Sequence, residues 1–342
     1  MSILSVEIMR PGKFGLNTSA TLAMPATQAE FRDAMEKARI TDDRVIYSSE
    51  LLECGHNWLR PHIAENVNLL ELNLLAARME NYIKDDIDVF EAMVIIEARR
   101  NKGKPIPIHR LINLTFSIDN CYIAGDITND TQLGEFLLEN ELLMDWDTDA
   151  IQARIDSGQP VSELLTIFGK EYRENRGGIL TATGLYVEYD GSLDKAYASG
   201  KMPYFERPGA PVVLEVSKRF FNTPGYDNDQ TVTINLPLAR DELNAALEKI
   251  GAASLKECSF RCVDCLIPAS KTWIDASQDI KAVSHFAHEL NYRERHGGLT
   301  EYKAQLEAIG CNDLDTALRL TEEIDAYKLS TEYSGPEDYG YA

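Results

Sequence analysis

Cys258, Cys262 and Cys265 stand in the stretch "CSFRCVDC" at a C-x3-C-x2-C spacing. Cysteine thiolates are the ordinary ligands of iron–sulfur clusters, and three at this spacing can hold a [4Fe–4S] cluster. A second metal chemistry is open to part of the set. Cys262-x2-Cys265 is followed by His285-x2-His288, and thiolate with imidazole suits zinc. The third reading is structural: small thiols buried or half-buried in a packed sheet. The elements that carry the cysteines decide among the three.

Those elements occur twice in the chain, and internal repeats settle architecture before local pattern does. Residues 22–40, "LAMPATQAEFRDAMEKARI", reappear as residues 234–252, "INLPLARDELNAALEKIGA". At one offset of 212, Pro25 faces Pro237, Glu30 faces Glu242 and Met35 faces Leu247. Further on, Ile87, Phe90, Ala92 and Val94 meet Leu299, Tyr302, Ala304 and Leu306. The pattern reads as a duplicated module: a strand, Pro, an amphipathic helix and a second strand, followed by a helical pair. Carried back by 212 residues, the three cysteines fall on Ile46, Glu50 and Glu53, and a one-residue slip puts them on Val45, Ser49 and Leu52. Neither register finds a cysteine. His285 and His288 correspond to Leu74 and Ala77, on an apolar-patterned helix. Radical S-adenosylmethionine enzymes use this cysteine spacing but need a large β/α barrel after it, and 77 residues follow Cys265 here. Asp264 also stands where that family carries an aromatic. The metal readings therefore rank below the structural one, and no cofactor is expected.

At 342 residues the chain exceeds one ordinary core, so two to four domains are expected. It has no apolar run of membrane-spanning length and no secretory leader at its start. Its six cysteines are too scattered for a secreted disulfide framework. A cytoplasmic protein with reduced thiols is expected. Lys and Arg total 34 against 55 Asp and Glu, a net charge of −21, which argues against direct binding of nucleic acid or an anionic membrane. There is no phosphate-cradling glycine loop, no G-x-S-x-G elbow and no H-E-x-x-H helix, so no enzyme is expected. The basic run at 98–110 contains Pro105 and Pro107 and reads as a connector between helices.

The expected fold class is α+β, an elongated chain of small α/β and helical domains with an internal duplication. Its parts are a small α+β domain at 1–62, a helical domain at 63–111 and an acidic α+β domain at 112–190. A junction at 191–230 follows, then a second copy of the first domain at 231–270 and of the helical domain, with an acidic tail, at 271–342. In the acidic domain Leu133, Phe136, Leu137 and Met144 fit one helical stripe capped by Asn129 or Asp130. A shorter helix, "AIQARID", follows Asp147, Thr148 and Asp149. "GGILTATGLYVEYDG" then alternates around Thr183-Gly184 as a hairpin.

The charge is concentrated in this domain. From Asp119 to Leu165 the acids are Asp119, Asp126, Asp130, Glu135, Glu139, Glu141, Asp145, Asp147, Asp149, Asp156 and Glu163, against Arg154 as the one base. That is a net of −10 in 47 residues. Glu135 and Glu139 share a helix face and repel by about 0.2–0.5 kcal/mol, and Asp145 falls where the first helix is expected to end, the wrong sign for the helix dipole. Solubility alone does not require such placement. Duplex DNA carries one charge per roughly 1.7 Å of axis, and carboxylates on successive helix turns lie about 5–6 Å apart. An acidic face can therefore present a comparable field to a basic groove.

These features resemble the ArdA antirestriction proteins, acidic DNA mimics of plasmids, conjugative transposons and phages. The resemblance lies in "LAMPATQAEFRDAMEKARI…IYSSELLE", "NLLELNLLAARMENYIKDDIDVFEAMV", "LGEFLLEN" and "FGKEYRENRGGILTATGLYVE". The last contains the family's aromatic-Gly-basic-acidic step at Phe168, Gly169, Lys170 and Glu171, followed by a Gly-containing hairpin. It covers about residues 15–190. The resemblance implies a non-enzymatic chain of small domains, usually a homodimer, that occupies the DNA-binding groove of type I restriction–modification enzymes and blocks restriction, often with modification. It implies a bacterial host cell and a mobile element or phage as the source. Another nucleic-acid enzyme, such as a CRISPR nuclease, is the alternative target. The departure from the family is the extra copy of the first two domains after residue 230.

Overall fold

The computed structural model describes residues 2–12, 17–40, 44–198, 210–218, 231–275 and 277–322. Among them are nine strands in three small antiparallel sheets and eleven α-helices, a mixed α+β multi-domain fold. None of these helices is long and apolar enough to cross a membrane. Contacts divide the chain into two compact units, residues 1–26 with 46–204, and residues 27–45 with 205–342.

The first unit opens with a three-stranded sheet of β1 (Leu4–Arg10), β2 (Thr18–Met24) and β3 (Ser48–Cys54), in the order β2-β1-β3. Leu4, Val6 and Ile8 alternate along β1 and are buried, as a sheet with one covered face requires. Three helices follow: α2 (Leu69–Glu80), α3 (Lys84–Arg100) and α4 (Ile108–Leu114). Asn68 caps α2 through the amides of Leu70 and Glu71. Asn73 on its buried face fixes the chain leaving β2: the Ala26 amide donates to Asn73 Oδ1 at 2.7 Å, and Asn73 Nδ2 donates to the Ala26 carbonyl at 3.0 Å.

The acidic domain lies in the same unit. Its sheet has the order β4-β6-β5, from β4 (Tyr122–Ala124), β5 (Ile179–Leu180) and β6 (Tyr186–Glu188). Gly184, at φ +93°, makes the turn of the expected hairpin. Its helices are α5 (Asp130–Glu139), α6 (Asp145–Asp156) and α7 (Ser162–Arg176). Ala124, Ile127, Leu133, Leu137 and Tyr186 form a small core. The domain is tied to the neighbouring helices by Arg100, which donates to the Tyr189 carbonyl at 2.9 Å, and by Thr183, which donates to Asp88. Asn113 and the Tyr197 backbone exchange two hydrogen bonds of 2.8 Å.

The second unit repeats the element order. Its sheet, β8-β7-β9, consists of β7 (Val212–Ser217), β8 (Thr231–Leu236) and β9 (Ser259–Cys265), with α8 (Arg240–Lys249) between β8 and β9. The helices α9 (Ile280–His296), α10 (Leu299–Ala308) and α11 (Leu314–Glu322) follow. Two expectations are corrected. The segment read as a junction at 191–230 contains β7, the central strand of the second sheet, so the second copy begins about twenty residues before residue 231. Each module also has one more strand and one more helix than the repeat suggested. The central strand escaped the comparison because β1 and β7 share an apolar pattern with little identity.

Helix α1 (Gln28–Lys37) belongs to the second unit. Its capping box is complete, with the Glu30 amide donating to Thr27 Oγ1 and the Thr27 amide to Glu30 Oε2. Lys271 reaches Glu30 at 2.7 Å, and the nearly buried Lys303 reaches Glu36 at 3.1 Å and Asp33 at 3.3 Å. In α8 the matching cap is Ala239, which retains only the half in which its own amide donates to Glu242.

The closest helix packing is between α5 and α7. A Cβ added at Gly134 would collide with the Leu165 carbonyl, and one at Gly169 with the Asp130 carbonyl. The two glycines face each other's helix backbone in an antiparallel crossing, where no side chain can rotate out of the way. Gly134→Ala and Gly169→Ala are each expected to destabilise the protein by about 2–3 kcal/mol, in the upper range of overpacking costs. Chemical denaturation of the two variants checks this, with Gly158→Ala, in open space at φ +69°, as the comparison for backbone strain alone.

Candidate functional site

The candidate face is built on the glycine crossing. Asn129 caps α5 through the Gln132 amide, and Asp130 begins the helix, where a carboxylate suits the dipole. Arg173 on α7 grips Asp130 with two hydrogen bonds of 2.7 and 3.0 Å. Asp130 is therefore a half-buried structural acid holding α5 to α7. Of the other nine acids expected on the face, Asp126, Glu135, Glu139, Glu141, Asp145, Asp149, Asp156 and Glu163 are exposed and Asp147 is half-buried. Glu163 pairs with Arg154 at 3.4 Å. Among the described residues the remaining eight have no cationic partner, and Asp156 accepts a 2.8 Å hydrogen bond from Gln152.

The helix boundaries correct the sequence reading. One helix was expected to run through Met144 with Asp145 at its end. Instead α5 stops at Glu139, and Asp145 and Asp147 occupy the first turn of α6, with Met144 at the N-cap. Their charge is favourable there, so the electrostatic cost assigned to Asp145 does not exist. Asp147 and Asp149 lie inside the helix and cap nothing.

The cost sits one turn earlier. Glu141 has φ 56° and closes a Schellman motif, in which its amide donates to the Leu138 carbonyl and the Leu142 amide to the Leu137 carbonyl. After α6, α8 and α10 the same position is filled by Gly158, Gly251 and Gly310. After α1 it is Arg39, whose charge suits a helix C-terminus. Glu141 combines left-handed backbone with the wrong charge, next to Glu139.

In α6, Asp145, Asp149, Gln152 and Asp156 recur at helical spacing and form one stripe about 16 Å long at 1.5 Å per residue. Trp146, Ala150 and Ala153 line the adjacent stripe, all exposed. Ile151 is the one buried residue of this helix. The face is not purely acidic along α7, where exposed Lys170 lies 3.9 Å from Glu174 and Arg176 stacks over Tyr172. In the aromatic-Gly-basic-acidic step, Phe168 is half-buried, Lys170 and Glu171 are exposed, and Gly169 is the buried contact with α5. The sequence reading missed Gly134, the partner of Gly169, and Trp146. An N-cap Asn followed five residues later by Gly in an apolar stripe was the available signal for the first.

The thiols are distributed differently. Cys262 and Cys265 are buried on β9, and Cys258 precedes the strand half-buried. Cys265 Sγ accepts from Ser270 Oγ at 3.0 Å and from the Ile267 amide, while Cys262 Sγ points to the Asp264 carbonyl. Burial pushes the Cys262 thiol up to about 12 and that of Cys265 up to about 11, and raises Cys258 as well. Thiolate, the form that binds metal, is disfavoured there. His285 and His288 are exposed on α9. No group of three or more His, Cys, Asp or Glu among the described residues is arranged to hold a metal ion.

The register between the copies also differs from the expected one. Leu4 pairs with Met24 and Cys54, and Val212 pairs with Leu236 and Cys265. The third strand of each sheet has a bulge beside that pair, at Leu52 opposite the Ser5–Val6 step and at Val263 opposite the Val213–Leu214 step. Cys265 therefore corresponds to Cys54, Cys262 to Leu51 and Cys258 to Tyr47, an offset of 211 that neither tested register covered. One cysteine is common to both copies, at the end of the third strand.

Comparison with known protein families, with curated proteins and with solved structures finds no match.

Two predictions follow from this geometry. Glu141→Gly should stabilise the protein by about 1 kcal/mol, because it relieves a left-handed side chain and a charge opposed to the dipole; urea denaturation measures it. Buried Asp264 accepts from Thr27 Oγ1 at 2.8 Å and from the Cys265 amide at 3.0 Å, and burial raises its pKa in the folded protein. An acid whose folded pKa is raised weakens the fold above that pKa, and the penalty disappears below the unfolded value of about 3.9. Asp264→Asn, which keeps the acceptor, should raise the stability at neutral pH. The gain over wild type should shrink to nothing as pH falls through the folded pKa toward 4, as followed by denaturation at several pH values.

Proposed function

We propose that this protein is a non-enzymatic decoy that presents a DNA-like negative field and occupies the DNA-binding groove of a type I restriction–modification enzyme, blocking restriction. The observation that carries this reading is the set of exposed carboxylates on α5, the α5–α6 turn and α6 that have no cationic partner among the described residues. Paired acids would be electrically silent to a partner; these are available to one. A basic groove that releases its bound anions to solvent when such a face replaces them gains affinity that falls steeply with salt. The resemblance to ArdA proteins in the motifs of residues 15–190 supports the same target. Glu141 supports it too, since a charge is kept where backbone and dipole both favour glycine.

The test is a DNA-binding competition with a purified type I restriction–modification complex. Wild-type protein should displace DNA, most strongly at low salt. The quadruple variant E135K/E139K/D145K/D149K changes four exposed positions with no ion-pair partner and should weaken displacement by about 100-fold or more, since like charges brought together cost several kcal/mol. Inhibition undiminished in that variant rejects this face.

A further inference from the structure

The outward surface of the acidic domain is not uniformly polar. Trp146 is 68% exposed, Met144 59% and Leu142 44%, while Leu143 between them packs on the core. A single exposed apolar side chain is ordinary, but three alternating within five residues form a patch that water does not favour. Trp146 makes no hydrogen bond or ring contact among the described residues. It stands in the first turn of α6, beside Asp145 and Asp147 and within one turn of Asp149. The packing of α6 centres on Ile151, its one buried residue, with Arg154 tied to the Pro160 carbonyl and Glu163, and the exposed indole takes no part in it.

The surrounding charge selects the occupant. A second copy of this chain would bring unpaired carboxylates against unpaired carboxylates, and an anionic membrane would repel them equally. A basic cleft is attracted. Clefts that bind nucleic acid combine cationic walls with aromatic platforms or pockets that take an unstacked or flipped base. An exposed indole with Asp145 and Asp147 as its chain neighbours offers such a cleft the same two kinds of group, a π-face and flanking negative charge.

We propose that Trp146 is the anchor of the acidic face: it enters the base-binding pocket of the target's basic cleft, and the carboxylates of α6 take the positions of the flanking phosphates. This deepens the decoy reading and rests on it. Long-range charge then sets the salt dependence, and Trp146 sets an affinity that salt does not remove.

The experiment titrates a purified type I restriction–modification complex with wild type, W146A, W146F and E135K/E139K/D145K/D149K across a salt series. Because Trp146 is exposed, the variants should keep the wild-type circular dichroism and melting curve. W146A should bind about 30-fold more weakly or worse, in the range of a truncated interface hot spot, with an unchanged slope of log affinity against log salt. W146F should recover most of the loss, and the charge variant should flatten the slope. In 5-fluorotryptophan-labelled protein, the ¹⁹F resonance missing from W146F should shift on adding the complex and stay in place with poly-L-lysine, which offers charge without a pocket. W146A binding as tightly as wild type overturns the anchor and leaves the decoy reading standing. A change in oligomeric state in W146A overturns it in favour of self-association. Failure of wild-type protein to displace DNA at any salt concentration overturns both.

Discussion

The backbone-to-backbone crossing of α5 and α7 is the constraint on which the acidic domain depends. Gly134 and Gly169 each meet a carbonyl of the opposite helix, so the two axes are closer than any side chain permits. The Asp130–Arg173 pair fixes their register along the crossing. The hydrophobic core beneath is small, centred on Leu133, Leu137 and Tyr186. A small core cannot hold a helix orientation by burial alone, and close approach supplies the dispersion contacts that extra apolar residues would give elsewhere. The outward positions are thereby freed for charge. Glu135 and Glu139 stand on α5 without ion-pair partners among the described residues, and the opposite face makes the contacts that the helix needs.

The duplicated modules illustrate how topology can be kept while chemistry drifts. Both have a third strand bulged at the same rung against the central one, a proline at the head of the helix segment and a cysteine at the end of the third strand. Around that frame the polar detail differs. The cap of α1 is a full box on Thr27, while that of α8 is half a box on Ala239. The position opposite Ser5 is Glu53 in one sheet, and the position opposite Val213 is the buried Asp264 in the other. The cluster "CSFRCVDC" is then one inherited thiol, Cys265, with two further small side chains at positions held by Leu51 and Tyr47 in the first copy. Spacing that looks like a ligand set arises here from the pleat and the bulge of a single strand.

Element types were legible where periodicity and caps agreed. Asn129 before α5, the Thr183-Gly184 turn and the paired helices around Phe90 and Tyr302 all lie where the residues suggest, because local propensity and burial point the same way at each. What was not legible depended on contacts distant in sequence. The end of α5 is set by a left-handed residue, and Glu141 is an atypical choice for it, so apolar spacing appeared to continue through to Met144. The central strands β1 and β7 are specified by two neighbours each, and pairing tolerates almost any apolar sequence. The copy-to-copy offset is 212 at the end of the second strand, where Met24 matches Leu236, and 211 along the third, where Cys54 matches Cys265, so one residue is lost between them and a comparison carried over at 212 misses the shared cysteine. Gly169 was noticed as part of a motif, but its reason, the Asp130 carbonyl, lies 39 residues away.

The acidic face separates two uses of a carboxylate. Asp130 is consumed by structure, paired and half-buried, and Asp145 and Asp147 assist the helix that carries them. The side chains of Glu139, Glu141 and Asp149 make no hydrogen bond or ion pair among the described residues. If solubility were their only use, the same net charge could be spread where backbone and dipole tolerate it, as Asp145 is, and glycine could take the turn after α5 as it does after α6, α8 and α10. A charge at a position that both the backbone and the helix dipole disfavour is what the proposed decoy role would explain. The exposed indole one turn further on has the same logic, since it too is placed where the fold gains nothing. The two anomalies lie five residues apart in the chain, and the proposed partner would account for both.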